Sequence, residues 1–431
     1  MASDVVRIID RPSDADMSQC VHCGFCLQQC PTYLQLGMET DSPRGRIHLI
    51  RALADGNADA TPELVRHLDL CLQCRACETA CPSGVPFGRI MESGRAMLVQ
   101  ERKAPLPWRA RVWLLKQLFP YPKRLRALFS LLRLYQRTGL QRLVRATRLL
   151  RLLPGGLAEA EAMLPHVPAR PFVLDTRPAA PDLKRGRLAL LTGCVMPLLY
   201  PQTHEATVRV LARHGYEVVA PPGQRCCGAL NLHAGDRTTA RDLARRNIDA
   251  FLDSEIDAVI VNSAGCGSTL KEYGELLEQD AAYAEKARRF SAMVRDVTEF
   301  LAALPLESPT TEVPQRVTYQ DSCHLVHAQK VRSAPRELLR AIPGLELVEL
   351  ETPDRCCGSA GIYSFAQREM SLRLLDDKMR DVASTGAHVI ATANPGCAMQ
   401  LEAGLRRHGM QGRVVHVVEL LDEAYRAEDA S

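Results

Sequence analysis

From about residue 186 onwards, short runs of apolar and β-branched residues alternate with longer segments whose apolar positions recur every third or fourth residue. The runs LALLTG, YEVVA, AVIVN, RVTYQD, LELVEL and HVIATAN have the length and composition of strands. Between them, RTTARDLARRNIDAFL and REMSLRLLDDKMRDVA have helical spacing. Such alternation predicts an α/β fold built on parallel sheets. Between residues 101 and 185 the pattern changes. There KRLRALFSLLRLYQR and LQRLVRATRLLRLL combine an apolar stripe with a basic face. In the first hundred residues, cysteine-rich loops interrupt the pattern.

The 16 cysteines sharpen this division. Eight lie before residue 100, none between 101 and 185, and eight beyond. In the last part Cys194, Cys226–Cys227 and Cys266 are followed by Cys323, Cys356–Cys357 and Cys397, at offsets of 129, 130 and 131 residues. Both vicinal pairs read Arg-Cys-Cys-Gly, and Gly265 and Gly396 precede the last cysteines. Two copies of one domain are therefore expected. The predicted organisation is a helical ferredoxin-like domain over 1–100, a basic helical linker over 101–185, and homologous α/β cysteine-rich domains over 186–310 and 311–431. Cys194, Cys266, Cys323 and Cys397 each follow a predicted strand, at the sheet edge where ligands bind in parallel α/β folds.

With 431 residues, 46% hydrophobic, and a net charge of +4, the chain reads as globular, with no charge argument for nucleic acid. Disulfide frameworks belong to short exported chains. The opening MASDVVRIIDRPSDAD lacks a basic region followed by an apolar one, so a reducing cytoplasm is expected. The longest stretch without Asp, Glu, Lys or Arg, Leu188–His204, is broken by Gly193, Pro197 and Pro201, which predicts no membrane span. Clustered cysteines in such a compartment mean metal or redox chemistry.

Cys20-x2-Cys23-x2-Cys26-x3-Cys30-Pro31 is followed by Cys71-x2-Cys74-x2-Cys77-x3-Cys81-Pro82. This is the spacing of a two-cluster ferredoxin, in which the fourth cysteine of each motif crosses to the other cluster. The expected ligands are Cys20, Cys23, Cys26 and Cys81 for one 4Fe–4S cluster, and Cys71, Cys74, Cys77 and Cys30 for the second. A zinc ribbon needs only two Cys-x2-Cys pairs and does not explain the third and fourth cysteines. Ser42-Pro43-Arg44-Gly45-Arg46 predicts a helix start with Ser42 as cap. Arg44 and Arg46 either offset cluster charge or are solvated surface residues.

The duplicated Cys…Cys-Cys-Gly…Gly-Cys pattern behind such a domain resembles the cysteine-rich domains of heterodisulfide-reductase type. The strings CVHCGFC, CPTY, DSPRGRI, CPSGV, NSAGCGS, KEYG, HAQK, CCGSAG and NPGC resemble the iron–sulfur subunits of bacterial glycolate oxidases (glycolate dehydrogenases). The resemblance implies an electron-transfer subunit without a catalytic residue of its own. Its expected partners are an FAD-binding subunit that oxidises glycolate to glyoxylate and, as acceptor, a membrane quinone. It leaves open a sister complex for lactate or glycerol 3-phosphate, and a heterodisulfide-reductase-like enzyme. The wider family adds a fifth cysteine to each repeat, where this chain has Thr269 and Gln400. Four thiolates still suffice for a further iron–sulfur cluster or zinc, so Cys194, Cys226, Cys227, Cys266, Cys323, Cys356, Cys357 and Cys397 are candidate ligands.

No dinucleotide fingerprint, P-loop or nucleophile elbow is present. His233, His324 and His327 lie near the motifs and receive no role. From Arg102 to Leu152 there are 14 Lys or Arg, no Asp or Glu, and both tryptophans, Trp108 and Trp113. Such a segment suits either an anionic membrane surface, as a peripheral protein on the cytoplasmic face of the inner membrane, or an acidic partner subunit.

Overall fold

A computed structural model describes residues 10–101, 103–147, 161, 163–174, 185–305 and 307–430. The described chain divides into two compact units: residues up to Gln117 with Gly228–Asp242, and Leu118–Cys227 with the residues from Leu243 onwards. Arg102 and residues 148–153 of the basic segment lie outside the described residues.

Helices Pro43–Ala54, Pro62–Asp69 and Phe87–Gln100 frame the first unit around Ile47, Ile50, Leu68, Ile90, Met91 and Leu98. Ser42 caps the first of them by accepting the Gly45 N–H at 3.0 Å, with Pro43 in its first turn. Close helix packing requires Gly94, where a β-carbon would stand 2.9 Å from Ile50 Cδ1. Trp108 is interior: its indole N–H donates to the Ala234 carbonyl at 3.0 Å, and Arg95 and Arg111 lie over the ring. It belongs to the basic segment in sequence and to the interior of the first unit in the fold. Trp113 is exposed.

The second unit holds two four-stranded parallel sheets. Strands Gly186–Leu190 (β1), Tyr216–Val219 (β2), Ala258–Val261 (β3) and Val294–Asp296 (β4) run in the order β2-β1-β3-β4. Strands Gln315–Tyr319 (β5), Leu345–Val348 (β6), Val389–Thr392 (β7) and Arg413–His416 (β8) repeat that order as β6-β5-β7-β8. The all-buried β3 and β7 are central strands covered on both faces, which explains their unbroken apolar runs. The edge strands β4 and β8 complete the sheets beyond the six runs visible in the sequence. One core spans both copies, joining Leu188, Leu190 and Leu211 to Val317, Tyr319, Val417 and Leu421.

The basic helix Pro122–Arg137 carries two apolar stripes. Leu125, Phe129 and Leu132 face inward, the last two against Met196, Leu199 and Tyr200. Leu128, Leu131 and Leu134 are 46%, 66% and 58% exposed, and Leu140 and Leu143 of the next helix, Leu140–Thr147, are exposed too. Among the described residues no helix is long and apolar enough to cross a membrane.

Candidate metal centres

Both cysteine motifs of the first unit fold into loops of the same shape. His22 and Gly24 have positive φ in the first, and Gln73 and Arg75 occupy the matching positions of the second with φ of 53° and 63°. Left-handed backbone at three residues with side chains is costly, and such strain gathers where a loop must hold a ligand. It curls each loop so that its cysteines face inward, and the Gln73 N–H donates to Cys71 Sγ at 3.4 Å. Cys30 and Pro31 then open helix Pro31–Leu36.

The eight cysteines line two hollows. One is lined by Cys20, Cys23, Cys26 and Cys81, and the other by Cys30, Cys71, Cys74 and Cys77. The fourth cysteine of each motif thus reaches the hollow of the other. Neither lining contains Asp or Glu, and each contains one arginine from helix Pro43–Ala54, Arg44 in the first and Arg46 in the second. Soft sulfur donors without carboxylates suit a thiolate-ligated iron–sulfur group, which is anionic, and do not suit calcium or magnesium. Burial pushes the Cys26 thiol up to about 11, and burial followed by the neighbouring Cys74 pushes Cys77 well up. These thiols ionise when a metal takes the place of the proton.

The hollows differ in exposure. Cys23 is exposed, with Val21 and Phe25 beside it, whereas Cys30, Cys71, Cys74 and Cys77 are buried. Arg46 is no solvated surface residue: it is 1% exposed, and its Nη1 lies 3.8 Å from Cys30 Sγ. Arg44 remains partly exposed, paired with Glu39 at 2.6 Å. Sequence reasoning missed the surroundings of Cys30, namely Thr32, Asp41 and His67, because they come from three separate elements.

In the second unit, Cys194 follows β1, the vicinal pair follows β2 and Cys266 follows β3. This is the carboxyl rim beside the β1/β3 switch point, where the sheet order reverses and doubly wound sheets bind ligands. The thiols form a connected set, Cys194 to Cys226, Cys226 to Cys227, and Cys227 to Cys266. Cys323, Cys356, Cys357 and Cys397 repeat it at the rim of the other sheet. The hydrogen bond with Cys356 pushes Cys357 up to about 12. Gly358 turns the chain after the second pair at φ 89°, and a β-carbon there would meet the Ser371 carbonyl at 2.6 Å. Thr269 and Gln400 stay outside these quartets, donating to the Gly265 carbonyl at 3.2 Å and to Ser371 Oγ at 3.0 Å. The two rims touch, the Ala264 N–H donating to the Ala393 carbonyl at 3.0 Å and the Gly265 N–H to Asn394 Oδ1 at 3.1 Å.

Of the histidines, His324 Nδ1 lies 3.6 Å from Cys323 Sγ, His327 bonds the Asp354 carbonyl, and His233 pairs with Glu92. Sequence reasoning assigned no role to Asn247, Tyr273 and Lys378, which carry no metal-ligand signal. Asn247 donates to the Cys226 carbonyl at 3.1 Å and Tyr273 to the Cys227 carbonyl at 2.7 Å, while the buried Lys378 ammonium interacts with Cys356 and Cys357.

Residues 16–85 match the 4Fe-4S dicluster domain, residues 188–271 and 317–402 the cysteine-rich domain, and residues 109–164 the linker region of glycolate oxidase iron-sulfur subunits. A probable glycolate oxidase iron-sulfur subunit of Bacillus subtilis (strain 168) is 44% identical over 427 residues, covering 96% of this chain and 95% of that one. The glycolate oxidase iron-sulfur subunit of Escherichia coli (strain K12) is 36% identical, covering 96% of each chain. Among solved structures, a hypothetical protein from Helicobacter pylori shares the fold with a TM-score of 0.58, covering 93% of this chain and 70% of that one at 9% identity. With its dicluster domain, its two cysteine-rich repeats and this likeness along nearly its whole length, the chain belongs to the family of glycolate oxidase iron–sulfur subunits, electron-transfer components of an oxidoreductase.

Proposed function

We propose that Cys20, Cys23, Cys26 and Cys81 hold one 4Fe–4S cluster and Cys71, Cys74, Cys77 and Cys30 the other. In this reading the chain takes electrons from the FAD of a partner subunit that converts glycolate to glyoxylate, and delivers them towards a quinone. The observation that carries it is the partition of eight thiols into two hollows free of carboxylate. Bound there, 4Fe–4S clusters supply the one-electron steps that must follow a two-electron oxidation on a flavin. The chain's own part is to ligate through thiolates, to keep the second hollow dry, and to leave the loop of Cys23 open to a partner. Cys23→Ser and Cys74→Ser should each remove one EPR signal and stop glycolate-driven quinone reduction, while glycolate still reduces the flavin. Retention of both signals by either variant would overturn that cysteine's assignment.

The thiol quartets support a further iron–sulfur cluster or zinc in at least one cysteine-rich copy, because four thiols meet at each rim, two of them buried at the first and three at the second. The exposed stripe of Leu128, Leu131 and Leu134 beside Lys123, Arg126 and Arg137 supports a peripheral seat on an anionic membrane, at the cytoplasmic face of the inner membrane. Reversing those three cations to Glu should then abolish salt-sensitive sedimentation with anionic vesicles. If co-purification with the flavoprotein is lost instead, the stripe is a subunit interface.

A further inference from the structure

Helix Pro43–Ala54 sends one arginine to each hollow, and the two meet different surroundings. Arg44 donates to the His22 carbonyl at 2.9 Å and to Glu39, and its side chain is 27% exposed. Arg46 is enclosed. Its Nε donates to the His67 carbonyl at 2.8 Å, and its Nη1 donates to Thr32 Oγ1 at 3.0 Å while lying 3.8 Å from Cys30 Sγ. Its Nη2 is 3.5 Å from the Asp41 carboxylate, which is fully buried and 2.8 Å from His67 Nδ1. Thr32 Oγ1 stands 3.2 Å from the same sulfur and donates to the Asp41 carbonyl at 2.8 Å. The thiol that crosses from the first motif to the second hollow is therefore held by a buried cation, and that cation faces a buried anion.

We propose that Arg46 and Asp41 set the reduction potential of the group held by Cys30, Cys71, Cys74 and Cys77, Arg46 raising it and Asp41 lowering it. The inference rests on the reading that those four cysteines hold a cluster. Reduction adds one electron, and so one negative charge, with no bond made or broken. A guanidinium N–H directed at a ligand sulfur stabilises the more negative state, and the low dielectric around Arg46 leaves that effect unscreened. A carboxylate in the same enclosure acts with the opposite sign. At the other hollow, water and Glu39 screen Arg44.

The test is an EPR-monitored redox titration of the full chain, with iron and sulfide counted for each variant. Two signals with distinct midpoints in the unaltered chain check the ligand reading by itself. Arg46→Gln should lower one midpoint, shifting the reduction equilibrium by roughly tenfold, about 59 mV for one electron. Asp41→Asn should raise the same midpoint, Arg46→Lys should restore most of the Arg46→Gln shift, and Arg44→Gln should move the other signal by less. A merely structural role predicts iron loss and no pair of opposite shifts. If both variants keep their iron and the midpoint stays fixed, or moves the same way in both, the proposal is wrong. If Arg46→Gln loses iron, Asp41→Asn decides alone, and the absence of an upward shift overturns the proposal.

Discussion

The two cysteine-rich copies share a sheet order, a thiol quartet and a glycine turn after the vicinal pair, yet the groups behind that pair differ in charge. Ala240, beside Gly228, and Ser371, beside Gly358, are equivalent and 131 residues apart, which pairs Asn247 with Lys378 at the same offset. In the first copy a neutral clamp of Asn247 and Tyr273 holds the carbonyls of Cys226 and Cys227. In the second copy a buried ammonium stands near Cys356 and Cys357. The repeat preserved the frame, and the electrostatics diverged inside it. On the reading that the quartets hold metal, an ammonium beside the second pair favours its ionised thiolates, so the second copy should hold its metal more firmly than the first.

The largest expected effect tests that asymmetry directly. Iron, sulfide and zinc are counted in Cys227→Ala and Cys357→Ala prepared without oxygen. Cys357→Ala should lose a whole metal group beyond the roughly eight iron atoms of two 4Fe–4S clusters. Cys227→Ala should lose less or nothing. Equal losses would erase the distinction between the copies, and no metal beyond the two clusters would remove the reading of both quartets as metal sites.

A second effect concerns the seam where the copies meet. His204 donates from Nε2 to the Thr192 carbonyl and accepts at Nδ1 from Asn262, each at 3.0 Å, so it is satisfied as a neutral ring. Burial depresses it to about 4, and burial with the nearby His204 depresses His416 to about 3. Both folded values lie below the unfolded one, so the stability they contribute is present above pH 6.5 and is lost as pH falls towards 4 and 3. Glu419, which accepts from Thr203, is pushed up to about 7 by burial; its contribution has the opposite sign and is lost as pH rises from 4.5 through 7. Between pH 7 and 5 these contributions partly cancel, leaving a net loss of about 2 kcal/mol, whereas Glu419→Gln should lose about 4 kcal/mol. Urea midpoints followed against pH check this. An acid slope unchanged by Glu419→Gln would mean that the seam does not couple the copies in this way.

Much of the frame was legible because cysteine spacing and unbroken apolar runs are local signals. The eight amino-terminal cysteines fall into two groups of four, and six of the eight strands coincide with visible runs. The edge strand Val294–Asp296 has only three residues and a charged middle, too short for a period-two signal, and Arg413–His416 offers only two apolar residues. The burial of two cations was not legible, for a different reason. Arg46 and Lys378 stand in helices of amphipathic pattern, where sequence places cations on the solvated face. Each has a partner distant in sequence, the His67 carbonyl for the one and the Thr352 carbonyl for the other, beside the nearby Asp41 and Asp381. Trp108 likewise lies in a basic run and yet inside the first unit.

The smallest effect sharpens the comparison most, because it separates a structural clamp from an electrostatic one. Asn247 accepts the Arg225 N–H at 2.7 Å and donates to the Cys226 carbonyl, so Asn247→Leu removes two side-chain bonds to the backbone. That should cost about 2–3 kcal/mol whether or not the first quartet holds metal. Lys378 donates to the Thr352 carbonyl and lies 3.7 Å from Asp381. Asp381 keeps its bonds to the N–H groups of Glu351 and Thr352, at 2.8 and 3.0 Å, when the ammonium is removed. Lys378→Met relieves the burial of a charge, which offsets part of the loss of its bond to the Thr352 carbonyl and of its pairing with Asp381, so with the second quartet empty it should cost less than Asn247→Leu, about 1 kcal/mol. With the quartet loaded, the lost cation should weaken metal retention against a chelator. Urea midpoints and chelator competition on both variants give the answer. If Lys378→Met destabilises the empty protein more than Asn247→Leu does, or leaves metal retention unchanged, the ammonium is a packing element and the two copies do not differ in their chemistry.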